Sequence, residues 1–172
     1  MKFVGIDPST KTGFVALNED ASILVAEEIT ARTTKDPERM IEIIDKVMNH
    51  IEPDDVVCIE GFAYGAKGNA VGILYGIGWG IRMAFFYKGI PYIEVTPGQL
   101  KKYASSKGTT KKDELAVCIF ERWGFKHSSD NVRDAFVLAQ IAHKLYKTKI
   151  NQEVKVTKFQ AEIIQQLLKQ AS

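Results

Sequence analysis

Residues 2–18, KFVGIDPSTKTGFVALN, decide the fold. An apolar run over residues 2–6 ends at Asp7, a polar turn follows, and a second apolar run covers residues 13–18. Residues 22–28 make a third run of the same kind. Short apolar runs separated by polar turns are typical of neighbouring β-strands. The start of the chain is therefore predicted to be a three-stranded meander with an acid at the end of its first strand.

The rest of the chain alternates between helical periodicity and strand-like runs. Residues 56–60, VVCIE, form a continuous apolar run that is typical of a central strand covered on both faces, and the run ends at Glu60. Hydrophobic spacing and end signals predict the other elements. They are helices at 37–51, 69–87, from Pro97 onward, 110–123 and 129–146, a strand at 91–96, and a short amphipathic helix after an irregular segment at 148–156.

This order of elements resembles the RNase H-like fold, in which helices cover both faces of a mixed sheet. We predict an α/β domain over residues 1–147, with a mixed five-stranded sheet flanked by helices. Residues 148–172 are predicted to be a C-terminal extension whose short helix is an appendage. A chain of 172 residues is long enough for one core of this size and short for two, which favours a single catalytic unit.

The charge of the whole chain does not by itself indicate a nucleic-acid partner, because the formal net charge is only +2. Lysines and arginines concentrate at residues 101–112 and 133–158, whereas much of the acid lies between residues 19 and 55. The second half of the chain is therefore predicted to carry the surface that meets an anionic ligand.

The two cysteines, Cys58 and Cys118, lie inside apolar runs, which predicts reduced and buried thiols. Their spacing contains no CxxC pattern, so a zinc site is not expected. The N-terminus lacks the pattern of a signal peptide, and glycines interrupt the longest apolar stretch, residues 71–87. We therefore expect a soluble, cytoplasmic protein with no membrane contact.

Three acids occur at element ends: Asp7 and Glu60 end the first and fourth strands, and Asp134 lies in the first turns of a late helix. Carboxylates brought together repel one another and are costly to bury unless cations neutralise them. Mg²⁺ prefers such hard oxygen ligands, and a pair of these ions can hold the attacking and leaving oxygens of a phosphodiester. The alternative is that the three acids are unrelated.

Four segments resemble, in order and spacing, the motifs of the RuvC-type Holliday junction resolvases. They are GIDPSTKTGFVAL at 5–17, IEGFAYG at 59–65, TPGQLKKYASSKGTTKKDEL at 96–115 and SDNVRDAFVLA at 129–139. The resemblance covers residues 1–147. It implies a structure-selective endonuclease that cleaves four-way DNA junctions by two-metal-ion hydrolysis, as a homodimer, with Mg²⁺ or in its place Mn²⁺.

The resemblance also implies metal-ligand roles for Asp7, Glu60 and Asp134. In the family a second acid often stands three residues before the last of these, where this chain has Asn131 and, one position earlier, Asp130. Positions three and four residues before Asp134 share its helix face. Either Asn131 contributes a neutral oxygen, or Asp130 supplies the anion; we favour Asp130.

Two lysines, Lys101 and Lys112, match lysines of the family, which implies phosphate contact. For Lys112 it also implies stabilisation of negative charge in the transition state. The alternative for both is a solvated basic helix start. Ser9 follows the first acid in a turn, where it contacts the DNA backbone or serves the turn alone. Phe62, with Tyr64, either stacks on an unpaired base of the junction or packs against the next helix.

Gly68, Gly72, Gly76 and Gly80 follow one another at four-residue spacing along one helix face. Residues without a side chain let another backbone approach closely. This stripe predicts helix contact, either inside the molecule, against the first helix or the sheet, or at a homodimer seam. The sequence leaves both open.

Other functions share parts of this pattern. An RNA-processing nuclease of the same fold would have the same acids, and a non-catalytic DNA-binding module would have the fold without the activity. The opening GIDPSTKTG also resembles the phosphate-binding hairpin of actin-like and sugar-kinase ATPases, but those proteins need a second domain for which 172 residues leave no space.

Overall fold

The computed structural model describes residues 1–62 and 71–170. One sheet runs through the molecule in the order β3-β2-β1-β4-β5. β1 pairs with β2, and β2 with β3, in antiparallel orientation, whereas β1 with β4 and β4 with β5 are parallel. The predicted mixed five-stranded sheet is confirmed. Its strands are β1 Phe3–Asp7, β2 Thr12–Leu17, β3 Ile23–Ile29, β4 Val56–Glu60 and β5 Tyr92–Val95.

The side chains of each strand point alternately to the two faces of the sheet, so each face has its own hydrophobic core. Helices cover both cores. Phe3 of β1 packs into the core that α3, α4, α5 and α6 complete. Its neighbour Val4 packs into the opposite core, under α1 and α2. The helices are α1 Glu38–Asn49, α2 Val71–Lys88, α3 Pro97–Ser105, α4 Lys112–Trp123, α5 Asp130–Lys149 and α6 Lys158–Gln170.

Two strand glycines let α5 lie directly on the sheet. A Cβ atom added to Gly5 of β1 would stand 2.0 Å from the carbonyl oxygen of Ala135 and 2.4 Å from the amide nitrogen of Ala139. A Cβ atom on Gly13 of β2 would stand 2.0 Å from the carbonyl oxygen of Asn131. Only glycine permits this contact between backbones. As a result, the first turns of α5 lie beside the end of β1.

Two glycines of the α2 stripe, Gly76 and Gly80, contact another helix of the same molecule. A Cβ atom on Gly76 would meet the Met40 sulfur at 2.8 Å, and one on Gly80 would meet the Ile44 Cδ1 at 2.3 Å, so both face α1. Gly72 has no neighbour within 4 Å among the described residues, and Gly68 lies outside them. The interpretation of these glycines as a dimer seam is therefore wrong for Gly76 and Gly80.

The predicted tail helix, α6, packs onto the domain. Its Ile163, Ile164 and Leu167 are buried in the core shared with α3 and α5. The division of the chain at residue 147 stays a prediction.

The cysteines and the apolar helices can be compared with what the sequence predicted. Cys58 is buried as predicted, whereas Cys118 is only half-buried, and both are free thiols. Within the described residues, no helix is long and apolar enough to cross a bilayer.

Candidate active site

The candidate site begins at the ends of two adjacent parallel strands. Asp7 is the last residue of β1 and Glu60 the last of β4, and the register pairs Ile6 with Ile59 immediately before them. Their side chains therefore emerge together at one sheet edge, where they share a hydrogen bond. Asp7 is only 8% exposed, and Glu60 is half-buried.

Helix α5 brings two more carboxylates to the same place. Ser129 caps the helix by accepting a hydrogen bond from the Val132 backbone N–H. Asp130 and Asp134 then lie one turn apart on the same helix face. Asp130 acts electrostatically on Asp7, and Asp7 acts on Asp134, which shows that the helix start faces the strand ends.

Burial and mutual repulsion make the charges of this cluster unfavourable. Burial, followed by the neighbouring Glu60, raises the pKa of Asp7 well above its usual range. Burial also raises the pKa of Glu60. For Asp134, burial and then repulsion from Asp7 and Asp130 raise the pKa to about 7. The cluster is thus a buried region of negative charge that a cation would stabilise.

Two lysines border these carboxylates. Lys112 is the first residue of α4 and donates a hydrogen bond to Asp130 Oδ2. This contact raises the pKa of Lys112 and lowers that of Asp130. Lys101, half-buried on α3, acts electrostatically on Glu60 and favours its ionised form. The structure therefore brings both predicted lysines to the predicted acids.

Asn131 faces the β1–β2 turn. Its Nδ2 donates to Ser9 Oγ at 3.0 Å and to the Lys11 carbonyl oxygen at 2.7 Å. Ser9 Oγ also accepts a hydrogen bond from the Lys11 backbone N–H, at 3.0 Å. Ser9 and Asn131 together hold the turn that follows Asp7, whereas Asp130 lies near the acids.

These contacts predict different effects for the two candidate fourth ligands. Asp130→Asn should slow cleavage by about 10- to 100-fold, because it removes an anion beside Asp7 and Asp134. Asn131→Ala should slow it less and should lower the free energy of unfolding by about 1–2 kcal/mol, because two hydrogen bonds to the turn are lost. Cleavage rates and urea unfolding of both variants measure this. The reverse order of rates would assign the ligand position to Asn131.

Arg82 supports the chain at Glu60 from behind, a role that was not predicted from the sequence. Its guanidinium donates to the Glu60 carbonyl oxygen at 2.9 Å and forms an ion pair with Glu94 Oε2 at 2.7 Å. It also donates to the Gly78 carbonyl oxygen at 2.9 Å. Its side chain is only 2% exposed. An arginine within an otherwise apolar helix was the available signal, since such a charge is rarely buried without partners.

Phe62, two residues after Glu60, packs against the Arg82 side chain. Its ring lies under the Arg82 guanidinium at 4.3 Å and contacts Tyr75 and Trp79 of α2 at centroid distances of 5.0 and 5.2 Å. The structure thus places Phe62 against the next helix, which was one of the two expectations for it. Tyr64 lies outside the described residues.

We expect Arg82→Met to act on the site through Glu60. The variant should slow cleavage by about 10- to 100-fold and raise the Mg²⁺ concentration needed for half-maximal rate, because the Glu60 main chain loses its anchor. Arg82→Lys should recover part of both losses. Metal titrations of the cleavage rate measure this effect. A variant that melts earlier but keeps the Mg²⁺ requirement of the wild type would reduce Arg82 to a role in packing.

Comparison with known proteins supports the architecture. No family model matches the chain, and no curated protein matches it. Thermus thermophilus RuvC in complex with a Holliday junction substrate is similar in structure, at a TM-score of 0.67 and 20% sequence identity. The likeness covers 88% of this chain and 96% of that one.

A second Thermus thermophilus RuvC structure agrees, at a TM-score of 0.65 and 19% identity over 88% of this chain and 98% of that chain. At this level of sequence identity the similarity shows a shared fold. The shared fold extends over nearly the whole length of both proteins. The chain therefore has the RuvC-type fold of the Holliday junction resolvases.

Proposed function

We propose that this protein is a metal-dependent endonuclease that cleaves phosphodiester bonds in four-way DNA junctions. The observation that carries the proposal is the cluster of Asp7, Glu60 and Asp134, in which burial and then repulsion between the carboxylates raise the pKa values. Negative charge concentrated in this way has no structural benefit in a sheet edge. A divalent cation bound among these carboxylates would neutralise that charge.

The donor set suits Mg²⁺, with Mn²⁺ as a substitute, because its side chains offer only oxygen atoms. Asp7, Glu60, Asp134 and Asp130 would hold the metal, and Asn131 is the alternative to the last. Within the described residues, no three such side chains are arranged around a common point. Asp7 is hydrogen-bonded to Glu60, and Asp130 to Lys112, so the acids must exchange these contacts for the cation.

Bound metal would activate a water molecule and neutralise charge on the phosphate. The protein's own residues provide the rest. The cluster holds the carboxylates at the end of a rigid sheet, and Arg82 fixes the Glu60 main chain. Lys112 contacts Asp130; if Asp130 held a cation, the Lys112 ammonium would be free to stabilise negative charge on the scissile phosphate. Lys101 contacts a neighbouring phosphate.

A homodimer fits a substrate that needs two cuts, and α2 offers a surface for it. Four large apolar side chains of this helix are between 53% and 85% exposed: Trp79, Met83, Phe86 and Tyr87. They recur at helical spacing and so form one stripe. Exposed apolar surface of this kind is typical of protein interfaces. Sedimentation of the protein at the concentrations used for cleavage measures its oligomeric state.

The decisive experiment compares substrates and metals. Purified protein is incubated with a synthetic four-way junction, a linear duplex of the same arms and an RNA hairpin, each with Mg²⁺, Mn²⁺ or EDTA. We expect metal-dependent cleavage of the junction in preference to the duplex, and junction affinity that falls steeply with salt because many phosphates are contacted.

Three outcomes would contradict the proposal in different ways. Equal cleavage of junction and duplex would leave a nuclease without junction selectivity. Preference for the hairpin would favour the RNA-processing alternative. Junction binding without cleavage under any metal would leave a DNA-binding module of this fold.

A further inference from the structure

A cavity of about 1010 Å³ opens on the helical side of the molecule, away from the carboxylate cluster. The β2–β3 turn, the end of α4, the middle of α5 and the segment before α6 surround it. None of the candidate catalytic residues lines it among the described residues. Its size is that of a small-molecule site.

The rim of this cavity is positively charged. Among the described residues that line it, four are cationic and none is acidic; the cations are Arg122, Lys126, Lys144 and Lys155. The three lysines form no ion pair with a described residue. Lys144 is half-buried, and its burial, followed by the nearby charge of Lys147, lowers its pKa. Uncompensated cations around a cavity favour an anionic ligand.

Two buried amides face the same space. Gln140 of α5 is 5% exposed, lines the cavity, and has no side-chain hydrogen bond to any described residue. Gln160 is 6% exposed, and only its Oε1 is engaged, by the Thr157 backbone N–H at 3.0 Å and the Thr157 hydroxyl at 3.1 Å. The free polar atoms of both amides are open to the cavity and are not fully enclosed by protein. A ligand with hydrogen-bonding edges would satisfy both.

The remaining wall is aromatic. Trp123 at the end of α4 is half-buried and stacks on Tyr103, with a centroid distance of 6.2 Å. Phe125 and Phe136 stack on each other at 4.0 Å. Flat apolar surface next to amides and cations suits a ligand that combines an aromatic ring, polar ring edges and a negative charge.

We propose that this cavity binds a nucleotide, with the base between the aromatic wall and Gln140 and the phosphate among the lysines. An unpaired nucleotide of a DNA strand and a free nucleotide share this chemistry. Gln140 lies six residues beyond Asp134, which is about 9 Å along the axis of α5. A DNA strand that leaves the carboxylate cluster is therefore within reach, although binding to the cavity does not depend on cleavage.

The test uses the full chain in EDTA, so that its result is independent of metal and nuclease activity. Trp79→Phe leaves Trp123 as the one tryptophan, because the sequence contains two. Trp123 fluorescence is followed while dAMP, a short single-stranded oligo-dA or inorganic phosphate is added. We expect saturable quenching by dAMP and by oligo-dA, and weak or no response to phosphate. Tighter binding of the oligonucleotide than of dAMP identifies a DNA strand as the source, and equal affinity identifies the free nucleotide.

Variants separate the cavity from general charge effects. Gln140→Leu should weaken dAMP binding by about tenfold, because it keeps the volume and removes the hydrogen bonds to the base. Lys144→Met should weaken it by a similar factor, whereas Lys149→Met, an exposed lysine on the same helix, should leave it unchanged. Unaltered binding in both cavity variants, phosphate binding equal to that of dAMP, or no quenching at millimolar nucleotide would each overturn the proposal. Since Lys144→Met is at a half-buried position, it keeps the test valid if Gln140→Leu fails to fold.

Discussion

Neutral replacement of any core carboxylate should stop cleavage. Asp7→Asn, Glu60→Gln and Asp134→Asn are each expected to lower the rate by about a thousandfold or more, because under the proposed function each removes a metal ligand from a cooperative set. Each change keeps the shape of the side chain, so packing at the ends of β1, β4 and α5 is preserved. Junction binding in EDTA should therefore remain close to that of the wild type. Turnover near the wild-type rate by one variant would remove that residue from the site.

In the same variants, the dependence of stability on pH distinguishes loss of charge from damage to the fold. The folded-state pKa of Asp134 is raised from 3.8 to about 7. The stabilisation that accompanies a raised pKa is present below the ordinary value and is lost as pH rises through the raised one. Metal-free wild type should thus be less stable at about pH 8 than at about pH 5.

Asp134→Asn removes the part of this pH dependence that Asp134 contributes, whereas Asp7 and Glu60, whose pKa values burial also raises, keep theirs. We expect its melting temperature in EDTA to exceed that of the wild type at alkaline pH, and the difference to shrink as the pH is lowered. The full shift would correspond to about 4 kcal/mol as an upper value, and coupling to Asp7 reduces it. Mg²⁺ should stabilise the wild type and have less effect on the variant. A variant that is less stable than the wild type at every pH would show that the substitution damages packing.

The sequence predicted what depends on local pattern. Strand β4 could be placed because VVCIE is continuously apolar, and its last residue, Glu60, is an acid that the run itself locates. The Asp7 position follows in the same way from β1. Because both strands are parallel neighbours in the sheet, the two acids meet without any information about loops.

The sequence did not predict what depends on contacts between distant segments. In the sequence, Arg82 is only a charged residue that interrupts an apolar helix. Its role depends on contacts with Glu94 and the Glu60 carbonyl oxygen, which are distant in sequence. The glycines of α2 have a spacing that serves either a neighbouring helix or a second copy, and only the position of α1 decides between them. Likewise, the spacing of apolar residues predicts an apolar face on α6, but it does not predict which elements that face packs against.

At Gly5 a single added methyl group should damage the fold severely. A Cβ atom there would overlap the carbonyl oxygen of Ala135 and the amide nitrogen of Ala139, which belong to the backbone of α5 and cannot rotate away. Helix α5 must either move off the sheet or unfold. We expect Gly5→Ala to lower the free energy of unfolding by at least about 3–5 kcal/mol, which is a large part of the stability of a domain of this size.

Gly72→Ala provides the matched control, because it makes the same chemical change where no other described element lies within 4 Å of the added methyl group. Within helix α2, alanine should be neutral or stabilising by about 0.5–1 kcal/mol. Urea unfolding of the two variants measures the difference. Any folded fraction of Gly5→Ala should also cleave poorly, since moving α5 carries Asp134 away from Asp7 and Glu60. A Gly5→Ala protein with wild-type stability and full activity would mean that α5 does not rest on β1, and the carboxylate cluster would then lose its structural basis.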